Sequence, residues 1–572
     1  MSPPSFRPYA RTRVRLRTLV THPVATTLVV AGVLHVLWWL LLANSGGDIA
    51  AQDAWAEFAR AHPGSAYNLA WYGGMHPVSY SIVSPYVMAL LGVRTTMIVA
   101  GTVSAALLAL LLVRSKAVPR PLLPSLAGAV ALLGNAVSGR VTFGLGMLFG
   151  LAALAVVFSW PSHWRTDELR RRLPRGALAA AFAGLATAGS PVAGLFLGIV
   201  AAGLWLGRRR AAAYALGVPP VAVVLISTWL FPFSGEQPIG WASVILPLLM
   251  GVLVLVLVPR GWTAVRLGTL VYLIAVLAAW LLPSPIGTNV TRMGLLFGGV
   301  LLVAAAVTGV RRSLRPLLAL ALVMSLCWQV GVAARDVLTT APDAAWSADT
   351  GRVVRALQER HARLGRVEVV PTRSHREAAA LAPYVNLARG WNRQADAERH
   401  PLFYDPEVPL TADSYRAWLD RWAVRFVVLA PGTPDAAAVE EAALVAAGLP
   451  YLREVWSHEE WRIYEVAEPT ALVSAPAQLV KFDEAELVLF VVRPATIRTR
   501  IPTSPWLTLV DAEREPIPPP VSAAENVNGC LSVELDPGPP AQEWVVLHAP
   551  RAGLYRIAAP YGLRRGTTCP AE

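Results

Sequence analysis

The stretch Gly46–Gly92 reads GGDIAAQDAWAEFARAHPGSAYNLAWYGGMHPVSYSIVSPYVMALLG and gathers side chains able to do chemistry. Asp48 and Asp53 come first, then Trp71, Tyr72, His76, Pro77 and Tyr80. A carboxylate here can take a proton from a hydroxyl or help hold a divalent metal. Arginine or histidine can steady a departing phosphate, and aromatic rings can form a wall for a sugar or a lipid. Two arginines at the ends of later apolar runs, Arg140 and Arg292, supply cations for the same work. The pattern suggests group transfer at a membrane surface. Asp48 is then the base, His76, Tyr80, Arg140 and Arg292 are donor contacts, and Trp71, Tyr72 and Asp53 are acceptor or lipid contacts. Each also has a plainer reading. Asp48 can cap a helix, Asp53 can be a solvated charge, and His76 can be a turn residue before Pro77. Trp71 and Tyr72 can be interfacial belt residues, and the arginines can snorkel from helix ends.

The elements that must position these residues are membrane spans. The 572-residue chain is 55% hydrophobic and only 15% charged, against about 25% charged in soluble globular chains. Its apolar excess lies before Ala334, in runs close to the ~20 residues needed to cross ~30 Å of hydrocarbon. Eleven spans are expected, over 24–43, 95–113, 121–138, 141–160, 177–188, 190–206, 211–230, 239–258, 264–282, 293–310 and 316–334. The pair around Ala188–Pro191 is short enough to be a re-entrant hairpin, and Pro219–Pro220 should kink its helix.

The net charge of +13 does not indicate nucleic acid, because the basic residues fall in short clusters between apolar runs. Lys occurs only at Lys116 and Lys481, so the basic residues are nearly all Arg, as in a GC-rich bacterium. With the N-terminus inside, 21 basic residues fall in the inner segments, beginning with Arg7–Arg17, and four fall outside: Arg60, Arg94, Arg140 and Arg292. That asymmetry predicts a plasma-membrane protein with a cytoplasmic N-terminus and everything after Arg335 outside. The expected domains are a basic N-terminus over 1–23 and a bundle over 24–335 that carries the outer loop 44–94. An extracytoplasmic α/β domain follows over 345–467, then a β-rich domain over 468–572.

The α/β domain is read from strand-like runs at Gly365–Pro371 and Val424–Ala430, alternating with helical patterns at Ser374–Ala382, Ala412–Ala423 and Ala436–Ala447. The runs LVLFVV, WLTLV, EWVVLH and LYRIAAP, separated by Pro/Gly turns, predict a terminal β-sandwich. Arg389 and Trp391, in LARGWNRQ, suit stacking and hydrogen bonding to an acceptor glycan; the plainer reading is a packed domain edge. Cys530 and Cys569 are the only cysteines past the membrane region, and outside the cytoplasm they can pair as a disulfide.

An Asp just after the first span, followed by an HP–Y segment that ends in a short apolar run and Gly, resembles the GT-C superfamily of membrane glycosyltransferases. The resemblance implies a multi-span bundle, a catalytic Asp in the first outer loop and a polyprenyl-phosphate sugar donor. Asp48 takes the position of that acid, and His76, Pro77 and Tyr80 match the HPP–Y-like element, with Val78 in place of the second Pro. The family often shows two adjacent acids; here Ile49 follows Asp48, so a divalent metal is an open question. The stretches RVEVVPTRSHREAAALAPYVNLARGWNRQ and PLFYD…YRAWLDRWAVRFVVLA are similar to uncharacterised actinobacterial membrane proteins, some labelled as 6-pyruvoyl-tetrahydropterin synthase-related or as transporters. The implied partners are membrane lipid, a lipid-linked sugar and an envelope glycan or protein acceptor. The alternatives are a transporter or flippase, and a non-catalytic envelope scaffold. A transporter should show internal repeats and mid-membrane charges; no repeat is evident, and the charges sit at span ends.

Overall fold

A computed structural model of the chain describes residues 22–43, 46–159, 169–233, 235–341, 344–562 and 566–570. The Arg7–Arg17 cluster and Arg165 lie outside the described residues. The described chain forms two compact units. The first, helical, takes Met1–Gly46, Leu91–Ile226 and Pro238–Leu338. The second takes Gly47–Leu90, Ser227–Gln237 and Thr339–Glu572.

In the helical unit a helix lies over each of the eleven expected stretches. Among the described residues seven helices are long and apolar enough to cross a membrane, and Leu122–Val137, Pro191–Leu206 and Ala242–Leu257 are shorter apolar helices. The chain is a multi-pass membrane protein. The pair around Ser190 is not a minimal hairpin. Its first member runs Leu169–Gly189, so that Arg175, expected in an inner loop, is helical, and its Nε donates to the Val156 carbonyl at 3.0 Å. Helix Arg210–Leu230 continues through Pro219 and Pro220. Helix Pro23–Leu41 packs on Val93–Ser115 and Leu122–Val137. Small residues permit close approach where apolar area gives no drive toward association. A Cβ on Gly146 would fall 2.8 Å from Ser190 Cβ and 2.9 Å from the Ala186 carbonyl.

The second unit opens with a four-stranded sheet in the order β1-β2-β4-β3. Its strands are β1 (Arg366–Val370), β2 (Val424–Leu429), β3 (Leu452–His458) and β4 (Trp461–Val466). β1 and β2 are parallel, and the other pairs are antiparallel. Parallel pairing requires a crossover, supplied by the segment that includes helices Arg376–Leu381 and Ala412–Arg421. Thr411 and Ser414 form a reciprocal capping box at the start of the latter.

A sandwich follows, built from β5 (Ala477–Phe482), β6 (Glu486–Val491), β7 (Ala495–Pro502), β8 (Thr508–Leu509), β9 (Cys530–Asp536), β10 (Gln542–Ala549) and β11 (Gly553–Ala558). One sheet runs β7-β10-β9 and the other β5-β6-β11-β8. The fold class expected from sequence, a helical membrane part followed by α/β and β-sandwich parts, is the one the chain adopts. Cys530 and Cys569 are disulfide-bonded, with Cα atoms 4.9 Å apart and a sequence separation of 39. The bond fastens the terminal segment beside β9, where Cys569 N donates to the Leu531 carbonyl at 2.9 Å. Closing a loop of that length stabilises by about 2–4 kcal/mol. The Cys530→Ser/Cys569→Ser variant should therefore melt its second unit several degrees lower in a thermal scan; an unchanged melt would show that the sheet holds the segment without the bond.

The loop Gly47–Leu90 belongs to this second unit. Its Trp55, Phe58, Trp71 and Tyr72 share one apolar core with Leu357, Val367, Leu381 and Phe426 of the α/β part. Its Ala66, Tyr67 and Leu69 share another with Leu487, Leu489 and Leu547 of the sandwich. The backbone is stitched in the same way. Ala66 N donates to the Ala559 carbonyl at 2.7 Å, Leu69 N to Glu484 at 2.7 Å, and Leu387 N to Ala70 at 2.9 Å. Burying each large aromatic contributes about 2–3 kcal/mol, so the loop is a structural layer of the unit.

Candidate active site

Arg140 sits in the turn between helices Leu122–Val137 and Val141–Phe158, and Arg292 opens helix Arg292–Thr308. Although 152 residues separate them, they line one small cleft with Asn135, Gln329, Leu295 and Ala333. Its free volume is about 10 Å³, comparable to the space one water requires. The turn bearing Arg140 is tight. Gly46, two residues before Asp48, lies with φ +104° against it, and a Cβ there would fall 2.7 Å from Gly139 N.

Polar groups fix the lining. Asn135 Nδ2 donates to the Arg140 carbonyl at 3.2 Å, and Gln329 Nε2 donates to the Leu295 carbonyl at 3.0 Å. Arg140 Nη2 lies 3.6 Å from Asp336 Oδ2, with both side chains mostly buried. The Arg292 guanidinium lies 5.5 Å from the Phe143 ring centroid. Asn135 Oδ1 is buried with no protein partner, and a buried acceptor left unpaired costs about 1–3 kcal/mol. The cleft thus gathers two guanidiniums and a spare acceptor around room for one water; guanidiniums are the side chains that pair with phosphate oxygens, and a phosphate enters only if the lining opens. Sequence reading did not single out Asn135, Gln329 or Asp336. One signal was there to use: among the described residues of the helical unit, Asp336 is the only carboxylate.

The remaining residues singled out from sequence lie in the second unit. Asp48 precedes helix Ile49–Ala61 but its side chain does not cap it; its carbonyl accepts from Gln52 Nε2 at 2.9 Å. Asp53 is four residues into that helix and reaches Arg376 Nη1 at 3.5 Å. It is a paired, partly buried charge. Tyr80 stacks on Trp55, with ring centroids 6.3 Å apart.

Trp71 and Tyr72 are core residues, 1% and 0% exposed, so as they stand neither can meet lipid or acceptor. Tyr72 Oη accepts from Asn392 N at 2.7 Å. The following Gly73 and Gly74 both have positive φ, and a Cβ on Gly74 would fall 2.3 Å from the Tyr67 ring. Arg389 is likewise enclosed. Its guanidinium pairs with Glu368 and Glu441, its Nε donates to Glu368 Oε1 at 2.9 Å, and it lies 3.9 Å from the Phe403 ring centroid. A guanidinium so spent binds the domain together instead of an acceptor glycan. Trp391 is half-buried, stacked on His375 with centroids 3.5 Å apart.

His76 differs most from its expected role. It is 4% exposed, with Nδ1 2.8 Å from the Ala66 carbonyl and Nε2 3.3 Å from Ser504 Oγ. Nδ1 donates to the carbonyl, which leaves Nε2 to accept from the serine. Burial pushes its pKa down to about 4, so the ring is neutral near pH 7 and brings no positive charge to a phosphate.

Depressed values mean that the native state resists protonation. His76, and His375 at about 4 by the same cause, contribute stability that is complete above pH ~6.5 and is lost as pH falls toward 4. Buried carboxyls pushed up by burial, Glu377 and Asp396 to about 7 and Glu368 to about 8, act in the opposite sense: their stabilisation is complete below pH ~4 and is lost as pH rises through those values. The His76→Gln protein should therefore lose less melting temperature than wild type between pH 6.5 and 4.5. Equal losses would show that His76 titrates normally.

Among the described residues no group of three or more His, Cys, Asp or Glu side chains is placed to hold a metal ion.

A family profile of a domain of unknown function (DUF8823) matches residues 474–572, the sandwich. No curated protein sequence matches the chain. Among solved structures it is similar to the arabinofuranosyltransferase AftD from mycobacteria, at 16% identity and TM-score 0.45, covering 88% of this chain and 42% of that one. A second AftD structure, of a variant, gives 14% identity and TM-score 0.45, covering 94% and 59%. The chain thus spans about half the length of these AftD chains. ArnT from Cupriavidus metallidurans bound to undecaprenyl phosphate gives 15% identity and TM-score 0.40, covering 81% and 99%.

Proposed function

We propose that this chain is a membrane glycosyltransferase of the GT-C kind, transferring a sugar from a polyprenyl-phosphate donor to a cell-envelope acceptor on the outer face. The observation that carries the reading is the cleft of the helical unit, where Arg140 and Arg292 converge beside Asn135. Two fixed guanidiniums at the end of an apolar bundle suit an anionic group whose tail is hydrocarbon. Asp336 holds Arg140 in place.

In this proposal the two arginines of the helical unit hold the phosphate of the donor, and Asp48 takes the role of general base from the resemblance alone. The acceptor hydroxyl gives its proton to Asp48 as its oxygen bonds to the anomeric carbon. The bond from that carbon to the phosphate oxygen breaks, and the electron pair leaves with the phosphate. The phosphodiester carries about one negative charge and the departing monoester up to two, so cations placed there favour the transition state over the ground state. No step is routed through a metal. An Asp just after the first span and the HP–Y segment that follows it support Asp48 in the role by resemblance.

The test is direct. The full chain in nanodiscs, given a radiolabelled polyprenyl-phosphate sugar and an envelope glycan fraction, should move label from the lipid to the water-soluble or glycan phase. A chain that binds the donor and carries it between leaflets of sealed vesicles without cleaving it is instead a flippase. A chain that neither binds nor cleaves it is a scaffold.

A further inference from the structure

Helices Pro191–Leu206 and Arg210–Leu230 enclose an apolar groove of about 730 Å³, within the ~300–1,000 Å³ range of ligand pockets. Its floor includes Gly198 and Gly217, where the helices approach closely: a Cβ on Gly217 would fall 3.0 Å from Ala201 Cβ. Its walls include Trp205, Tyr214 and Leu225, which are 44%, 55% and 65% exposed. On the second helix the lining runs from Ala213 to Leu225, a length of about 18 Å at ~1.5 Å per residue. That matches one leaflet, about half of the ~30 Å hydrocarbon thickness.

The groove has a charged end. Arg208, Arg209 and Arg210 are consecutive and exposed, the first two in the turn joining the two helices and Arg210 opening the second. The Arg210 guanidinium lies 3.9 Å from the ring centroid of Trp205, itself part of the wall. Among the described residues of the helical unit the only carboxylate is Asp336, which pairs with Arg140. Arg208, Arg209 and Arg210 thus form an exposed cationic cluster, with no ion pair to any of them among the described residues. An apolar channel one leaflet long, ending at clustered arginines, is complementary to a lipid with an anionic head.

We infer that this groove is a binding site for an anionic phospholipid, one acyl chain lying between the helices and the headgroup phosphate held by Arg208–Arg210. It is separate from the Arg140–Arg292 cleft and does not depend on the proposed reaction. On the topology expected from charge it faces the cytoplasmic leaflet.

Trp205 reports occupancy. The full chain is placed in nanodiscs containing either dibromo-acyl phosphatidylglycerol or dibromo-acyl phosphatidylcholine at equal mole fraction, and the Trp205 signal is isolated by difference from Trp205→Phe. The anionic lipid should quench it with about fivefold higher apparent affinity. In the Arg208→Gln/Arg209→Gln/Arg210→Gln variant the two lipids should become equivalent. Gly198→Leu, at a position where a Cβ meets nothing within 4 Å, should plug the groove and abolish the headgroup-dependent quenching. Equal quenching by both lipids in the wild type overturns the proposal, even if a variant fails to fold. So does a preference that survives the triple replacement or the plug.

Discussion

Replacing Arg140 and Arg292 together by Gln is expected to lower transfer from a polyprenyl-phosphate sugar by about 10³-fold or more, since losing a single preorganised donor at a developing anion costs about 10²–10³. Because charge grows on the phosphate as the sugar leaves, the loss should fall on kcat as well as on KM. Either arginine changed to Lys keeps the charge but loses the planar fork, and should give an intermediate rate. Asp336→Asn removes the carboxylate 3.6 Å from Arg140 without touching the phosphate, so its effect should be smaller and fall chiefly on KM. Initial rates in proteoliposomes with a labelled donor measure all four variants. Wild-type turnover in the double Gln variant would remove the cleft from the reaction.

Asp48→Asn should slow transfer by about 10²-fold or more while leaving donor binding intact, because the amide is nearly isosteric and a far weaker base. The Asp48 side chain caps no helix, so the substitution removes no cap, and a thermal scan of the variant checks that it is folded. Asp53→Asn is the contrasting variant. Asp53 is engaged by Arg376 at 3.5 Å, and removing a partly exposed ion pair costs about 1 kcal/mol or less, so stability should fall slightly and the rate by only a fewfold. Donor binding and single-turnover transfer separate the two effects. Unchanged transfer by the Asp48→Asn protein would leave Asp48 as a residue at a helix start and nothing more.

The local half of this structure was legible from the chain. Eleven apolar stretches became helices, because hydrophobic length needs no distant partner to be read. The strands around Val367 and Val427 and the β-rich end followed from short apolar runs between turn residues. The two cysteines beyond the membrane region are bonded, because little else was available for either to pair with. Arg140 and Arg292 were chosen for sitting at the ends of spans, and the fold brings them to one cleft.

What the sequence by itself determined, then, is a multi-span chain with an α/β and sandwich unit, since those features depend on period, length and composition. The tertiary structure alone decided what the polar and aromatic residues are for. Trp71 and Tyr72 read from sequence as belt residues first and as acceptor or lipid contacts second, and only packing against Leu357 and Phe426 makes them core. His76 looked like a cation for phosphate until burial between Ala66 and Ser504 made it neutral. Arg389 looked free to stack on a glycan until Glu368, 21 residues away, and Glu441, 52 residues away, closed on it. A side chain's charge state and availability depend on desolvation and on partners far along the chain, which periodicity does not encode.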